Sequence, residues 1–213
     1  MADKVCVLRS TRQIKGIFTI LRNRETTRSD FVFHAHRLTR LMVEFGLSFL
    51  PFKEQNVVTP TGDVYSGLAF TESLCGVAII RSGEAMEDAL RSVCRSVRIG
   101  KILIQRNAEQ PEVRDLIYAR LPDDIADRRV ILMDPITASG LTILRAMRVL
   151  IDSGVPEENI IFITLIASRL ALVRFAAAFP AATVCVGEID ADCESGLVLP
   201  GLGTFGDRYF GTE

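Results

Sequence analysis

Val130-Ile131-Leu132-Met133-Asp134-Pro135-Ile136-Thr137-Ala138-Ser139-Gly140-Leu141-Thr142 is the stretch that decides the fold. An apolar strand ends in an acid, and a loop of small and hydroxyl residues follows. A helical pattern then runs through Thr142–Ser153 to Gly154. The first N–H groups of a helix lack partners and carry partial positive charge, so they receive phosphate. Small residues at 138–140 let a phosphate approach the backbone. Thr137, Ser139 and Thr142 offer hydroxyl donors, and Asp134 stands where ribose hydroxyls or a cation would be met. The same pattern also fits an ordinary strand–turn–helix whose hydroxyls only cap the helix. A nucleoside-triphosphate P-loop is excluded, because GxxxxGK[ST] does not occur.

Strands and helices alternate on both sides of this stretch. Gly76–Ile80, Lys101–Ile104, Ile160–Ile166 and Thr183–Val186 are short apolar runs, the last of them the final strand expected. Helical patterns cover 84–97 and 168–178. Continuous apolar strands alternating with helices predict an α/β fold: a mainly parallel sheet with helices on both faces. Ahead of it, Ile14, Ile17, Phe18 and Leu21 mark one helix face, and Ser29-Asp30 is the expected cap of a second helix ending near Gly46. Residues 55–70 read as a hairpin about Pro60-Thr61-Gly62-Asp63. The stretch 106–129 is polar and aperiodic, either a loop or the tip of an arm. A single domain over 1–213 is expected, with a core at about 70–190, an extension at 1–69 and a tail at 190–213.

Ligands of open parallel sheets bind beyond the carboxyl ends of the strands. That rule points to Arg81, Gln105-Arg106, Asp134–Gly140, Ala167–Arg169 and Asp190. Arg81, two residues before Gly83, can set a guanidinium and backbone amides around a second anion, and Arg106 repeats the logic. The alternative is a pair of surface arginines in connecting loops. The tail from Gly196 to Glu213 is glycine-rich, yet Leu, Val, Phe and Tyr interleave. Such a segment packs while offering its own N–H and C=O groups to a ligand.

The chain has 213 residues with 25 basic and 26 acidic side chains, a formal net charge of −1. That balance lacks the basic excess of a nucleic-acid binder. No apolar run reaches transmembrane length, and the first residues carry an early acid unlike a secretory signal. Five cysteines at irregular spacing, with no CxxC, predict reduced thiols mostly in the core rather than a zinc site or disulfides.

Four segments carry a resemblance. Gly76-Val77-Ala78-Ile79-Ile80-Arg81-Ser82-Gly83-Glu84-Ala85-Met86-Glu87, Arg98–Arg106, Asp134–Gly140, and Pro200-Gly201-Leu202-Gly203 through Phe210-Gly211-Thr212 resemble the uracil phosphoribosyltransferase family, nearest its eukaryotic branch, in the family's order. The resemblance runs from about residue 10 to the end. It implies a type I phosphoribosyltransferase-like fold, in which the N-terminal helices and the Gly-rich tail form a hood. It implies transfer of phosphoribose from phosphoribosyl diphosphate to uracil, giving UMP and diphosphate in pyrimidine salvage. By carry-over, Asp134, Pro135, Ile136, Thr137, Ala138, Ser139, Gly140, Leu141, Thr142 and Thr204 hold the phosphoribosyl substrate. Arg81 and Arg106 meet its diphosphate, and Asp134, Arg81 and Arg106 carry the chemistry. Val198, Gly203, Thr204 and Phe205 read uracil largely through main chain. Mg²⁺ is implied as a cofactor held mainly by substrate phosphates, with no dedicated protein cage. A homodimer or higher homo-oligomer, a GTP effector and a cytoplasmic location are implied too, with no nucleic-acid or membrane partner. In this frame Gly140→Val is expected to put a side chain where phosphate approaches.

Three places depart from the family pattern. Asp usually follows Pro-Gly-Leu-Gly, and here it is Thr204; a Tyr before that segment is Leu197; and Ala-Ala-Pro-x-Gly reads Ala167-Ser168-Arg169-Leu170-Ala171. A second reading therefore stands beside the first: a weak or inactive homologue that binds ligand or regulates. A third is a partner domain acting in trans to a kinase, since this chain has no kinase P-loop.

Overall fold

A computed structural model describes residues 4–110 and 112–212. In chain order the elements are β1 (Val5–Val7), α1 (Arg12–Arg22), α2 (Arg28–Leu47), β2 (Phe52–Val58), β3 (Val64–Phe70) and β4 (Leu74–Ile80). Then come α3 (Glu87–Val93), β5 (Arg98–Arg106), β6 (Arg114–Arg120), β7 (Arg129–Met133), β8 (Ile136–Thr137) and α4 (Leu141–Asp152). The last third holds β9 (Ile160–Ser168), α5 (Arg169–Ala178), β10 (Thr183–Asp190), β11 (Asp192–Glu194), β12 (Leu197–Leu199) and α6 (Phe205–Phe210).

The main sheet runs β1-β10-β9-β7-β4-β5-β6, with β8 beside β9. Every pairing is parallel except β5 with β6. Its interior strand β9 is buried along its whole length, which explains a run that is apolar at all but Thr164 and Ser168. One face carries α1, α2, α3 and the tail over Ile131, Met133, Ile163 and Leu165. The other carries α4 and α5 over Val130, Leu132 and Phe162. Mixed α/β architecture with helices on both faces is as the sequence predicts.

The apolar stripe Ile14, Ile17, Phe18, Leu21 is the buried face of α1, and Thr11 caps that helix by accepting from the Ile14 amide. The cap of α2 is Thr27, which accepts from the Asp30 amide, and not Ser29-Asp30. Asp30 instead places its charge in the first turn, where the helix dipole favours it.

The expected helix over 84–97 is shorter, a 3₁₀ turn at Ser82–Met86 leading into α3. A Cβ at Gly83 would run into the Met133 carbonyl, so this turn lies hard against the end of β7. The aperiodic stretch 106–129 contains β6, an edge strand with Leu116, Ile117 and Tyr118 exposed. Without a buried face it has no period-2 signature. Thr183–Val186 is not the last strand, because β11 and β12 pair antiparallel after it. Three residues each are too few to show a period. Among the described residues no helix is long and apolar enough to cross a membrane.

Candidate active site

Beyond the carboxyl end of β7 the chain makes the loop Asp134–Gly140 and enters α4. Gly140, at φ +82°, is the N-cap. Asp134 is enclosed by protein, with part of its surface open to the cavity in front of it. Burial pushes its carboxyl up to about 7, and the Ile136 amide, bonded to it, pulls the other way. The three loop hydroxyls differ in their commitments. Thr137 pairs with Thr164 inside the fold at 3.1 Å. Ser139 accepts the Leu141 amide at 3.4 Å, and Thr142 accepts Arg114 Nε at 3.4 Å. Pro135 is buried, and its carbonyl accepts the Leu165 and Ile166 amides, so it fixes the loop's root.

The tail returns over this loop. Asp190 ends β10 almost buried. It bonds the Gly201 amide at 2.8 Å and both terminal nitrogens of Arg22 at 2.8 Å. Arg22 also meets Glu188 and the Gly201 carbonyl. Asp190, a strand-end candidate in the sequence, therefore anchors the tail to α1. Arg208 donates to the carbonyls of Leu21, Leu202 and Asn23 and lies 4.2 Å over the Phe31 ring. Phe205 stacks on Tyr209 at 5.6 Å, and Tyr209 meets His36 at 2.5 Å. These contacts hold α6 on α2, so the glycine-rich end is a packed lid.

Between lid and loop lies a cavity of about 260 Å³. Its wall includes Asp134, Ile136–Gly140 and Thr142 from one side and Gly203, Thr204 and Phe205 from the other. Loop and tail residues named from the sequence are thus brought together. Arg81 is not on this wall, although its neighbour Ser82 is; its guanidinium reaches Asp207 at 2.5 Å, Thr212 at 2.8 Å and the Phe210 ring at 5.4 Å. Arg106 is exposed at the end of β5, in register with Arg114 of β6. Val198 buries its side chain in the core, while its neighbours Gly196 and Leu197 are on the wall.

A family model described as uracil phosphoribosyltransferase matches residues 7–212. The chain belongs to the uracil phosphoribosyltransferase family. A uracil phosphoribosyltransferase of Dictyostelium discoideum is 50% identical over 212 residues, covering 99% of this chain and 98% of that protein. The corresponding protein of Saccharomyces cerevisiae is 46% identical over 207 residues, 97% of this chain and 95% of that protein. The chain also matches uridine kinase-like protein 5 of Arabidopsis thaliana at 50% identity, but spans only 45% of that protein. Among solved structures, the AQ2163 protein of Aquifex aeolicus superposes with a TM-score of 0.83 at 25% identity, over 97% of both chains.

Against the pattern of the uracil phosphoribosyltransferase family, all three departures fall at or behind the cavity. Thr204 is exposed on its wall and makes no side-chain capping bond to α6. Leu197 faces it from β12. Ser168 caps α5 by accepting the Ala171 amide. Sequence reasoning missed Arg114, which puts a second guanidinium beside the loop. Its only signal was position, eight residues after Arg106 across an edge hairpin that had no periodic mark.

Proposed function

We propose that this chain transfers phosphoribose from phosphoribosyl diphosphate to uracil. The observation that carries the reading is one cavity walled by a buried acid, a small-residue loop at a helix start, and a glycine-rich lid. In this reading the loop amides with the Ser139 and Thr142 hydroxyls hold the 5′-phosphate. Asp134 faces the ribose, Arg81 and Arg106 face the diphosphate, and main chain about Val198 and Gly203–Phe205 reads the planar base. The C1–oxygen bond breaks with its electron pair leaving on diphosphate, the bond to uracil N1 forms, and the N1 proton passes to solvent. Positive charge grows on the ribose as the diphosphate leaves. An ionised Asp134 stabilises the positive charge on the ribose, and the arginines stabilise the negative charge on the departing diphosphate. The protein walls around the cavity strengthen both effects relative to bulk water.

Mg²⁺ fits this donor set as a guest of the substrate. Asp134 is the carboxylate on the wall, far short of the six oxygens the ion takes, so phosphates and water complete its shell. When bound it would neutralise charge on the diphosphate. A homodimer or higher oligomer is part of the reading. The β2–β3 hairpin stands out with Val58, Val64, Tyr65 and Leu68 exposed, an apolar surface of the kind that seeks a partner. A cytoplasmic location and a GTP effector belong to the reading as well.

The test is conversion of labelled uracil with phosphoribosyl diphosphate and Mg²⁺, with and without GTP. UMP formation at about 1–10³ per second is expected. A protein that binds both substrates and makes no UMP would overturn it. The same assay checks Thr204. Thr204→Asp adds a carboxylate to the wall near the ribose, and each 1.36 kcal/mol of transition-state stabilisation is tenfold in rate. If wild type turns over below that range, a gain of about tenfold or more is expected; a wild-type rate already within it, or a variant no faster than wild type, would show that threonine is no deficit here.

A further inference from the structure

The loop's carbonyls are held from behind by α5. Ser168 Oγ donates to the Ala138 carbonyl at 2.5 Å, and Arg174 donates to the Ser139 carbonyl at 2.8 Å. In a trans peptide the C=O and the following N–H point in opposite directions within one plane. Fixing the Ala138 carbonyl toward α5 therefore turns the Ser139 amide away from α5. Fixing the Ser139 carbonyl does the same for the Gly140 amide. Both residues line the cavity, on the loop's other side from α5. A Cβ at Gly140 would meet Ala171, which confirms that α5 packs directly against the loop's back. No hydrogen bond within the described residues engages the Ser139 or Gly140 amide. Two adjacent donors are thus aimed at the cavity, beside the start of α4.

We propose that Ser168 and Arg174 are positioning residues, which set the Ser139 and Gly140 amides for the substrate's 5′-phosphate. This rests on the phosphoribosyl-transfer reading given above. Ser168 is one of this chain's departures, a hydroxyl where the family pattern has alanine. It is fully buried, so its bond to Ala138 faces no competition from water. Arg174 is half-buried and keeps its guanidinium behind the loop, outside the cavity wall. Neither side chain touches the ligand in this arrangement. They act by removing alternative peptide orientations before the phosphate arrives, and a preorganised site binds without the cost of ordering itself.

Because UMP and phosphoribosyl diphosphate share the 5′-phosphate, a loosened loop weakens both alike. Ser168→Ala also removes the cap of α5, so its effect mixes binding with folding. Arg174→Met is the cleaner variant. We expect it to raise Kd for UMP and KM for phosphoribosyl diphosphate by about tenfold each. KM for uracil and the thermal midpoint should stay near wild type. Arg174→Lys keeps a cationic donor and should recover most of the loss. Wild-type Kd for UMP in Arg174→Met would overturn the proposal. So would a rise in the uracil KM as large as the rise for phosphoribosyl diphosphate. A wild-type protein that binds neither UMP nor phosphoribosyl diphosphate would overturn the transfer reading itself, and the proposal with it.

Discussion

Gly140→Val is expected to abolish binding of UMP and of phosphoribosyl diphosphate, with at least about a hundredfold loss in calorimetry. Gly140 sits at φ +82°, where a β-branched residue pays roughly 1–3 kcal/mol in strain. The route differs from the one the sequence suggests. A Cβ there does not enter the cavity. It meets Ala171 at 3.1 Å from Cα and 3.3 Å from the carbonyl oxygen. That obstacle is backbone at the start of a helix, and it cannot swing aside. The loop must move toward the cavity instead, and the amides of residues 139 and 140 lose their aim. Backbone displacement also predicts that Gly140→Ala, which is too short to obstruct a phosphate, already forfeits much of the affinity. Binding by Gly140→Val at wild-type strength would show that the loop yields freely and that its geometry is not what recognises phosphate.

The contrast shows what is legible in a sequence and what is not. The strand–acid–loop–helix order at 130–142 is written locally, because residue type and spacing fix both the turn and the helix start. The parallel sheet follows from apolar runs, since strands covered on both faces need apolar residues at every position. Which side of Gly140 faces α5 is decided by Ala171, thirty-one residues later, so no local pattern carries it. Arg114 was hidden for a similar reason: β6 is an edge strand whose exposed apolar residues erase the alternation that marks a strand. The tail's packing was legible in outline, from its interleaved Leu, Phe and Tyr. Its anchoring by Arg22 and Arg208, about 180 residues upstream and beside it respectively, depends on pairings that only the fold creates.

Asp134→Asn is expected to stabilise the protein while removing most of its activity. The unfolded carboxyl ionises near 3.8, and in the fold burial pushes it up to about 7. Between these values the unfolded chain is ionised and the folded one protonated, so folding takes up a proton. Stability is therefore fully present below about 3.8, falls as pH rises toward 7, and is level above that. At 1.36 kcal/mol per unit the ionised acid costs on the order of a few kcal/mol above pH 7. Asparagine has no charge to desolvate, so its variant should melt higher than wild type at pH 8.5, with the gap closing at pH 5. Activity moves the other way. An amide cannot oppose the positive charge growing on the ribose, and loss of one such preorganised group costs about 10²–10³ in kcat. The opposed shifts are the signature of a charge kept for chemistry at the expense of the fold. Thermal melts at the two pH values and the UMP-forming rate test both halves. A variant less stable than wild type at pH 8.5 would mean that the carboxylate has a stabilising partner in the fold. A variant that keeps its rate would move the ribose-facing role to another residue.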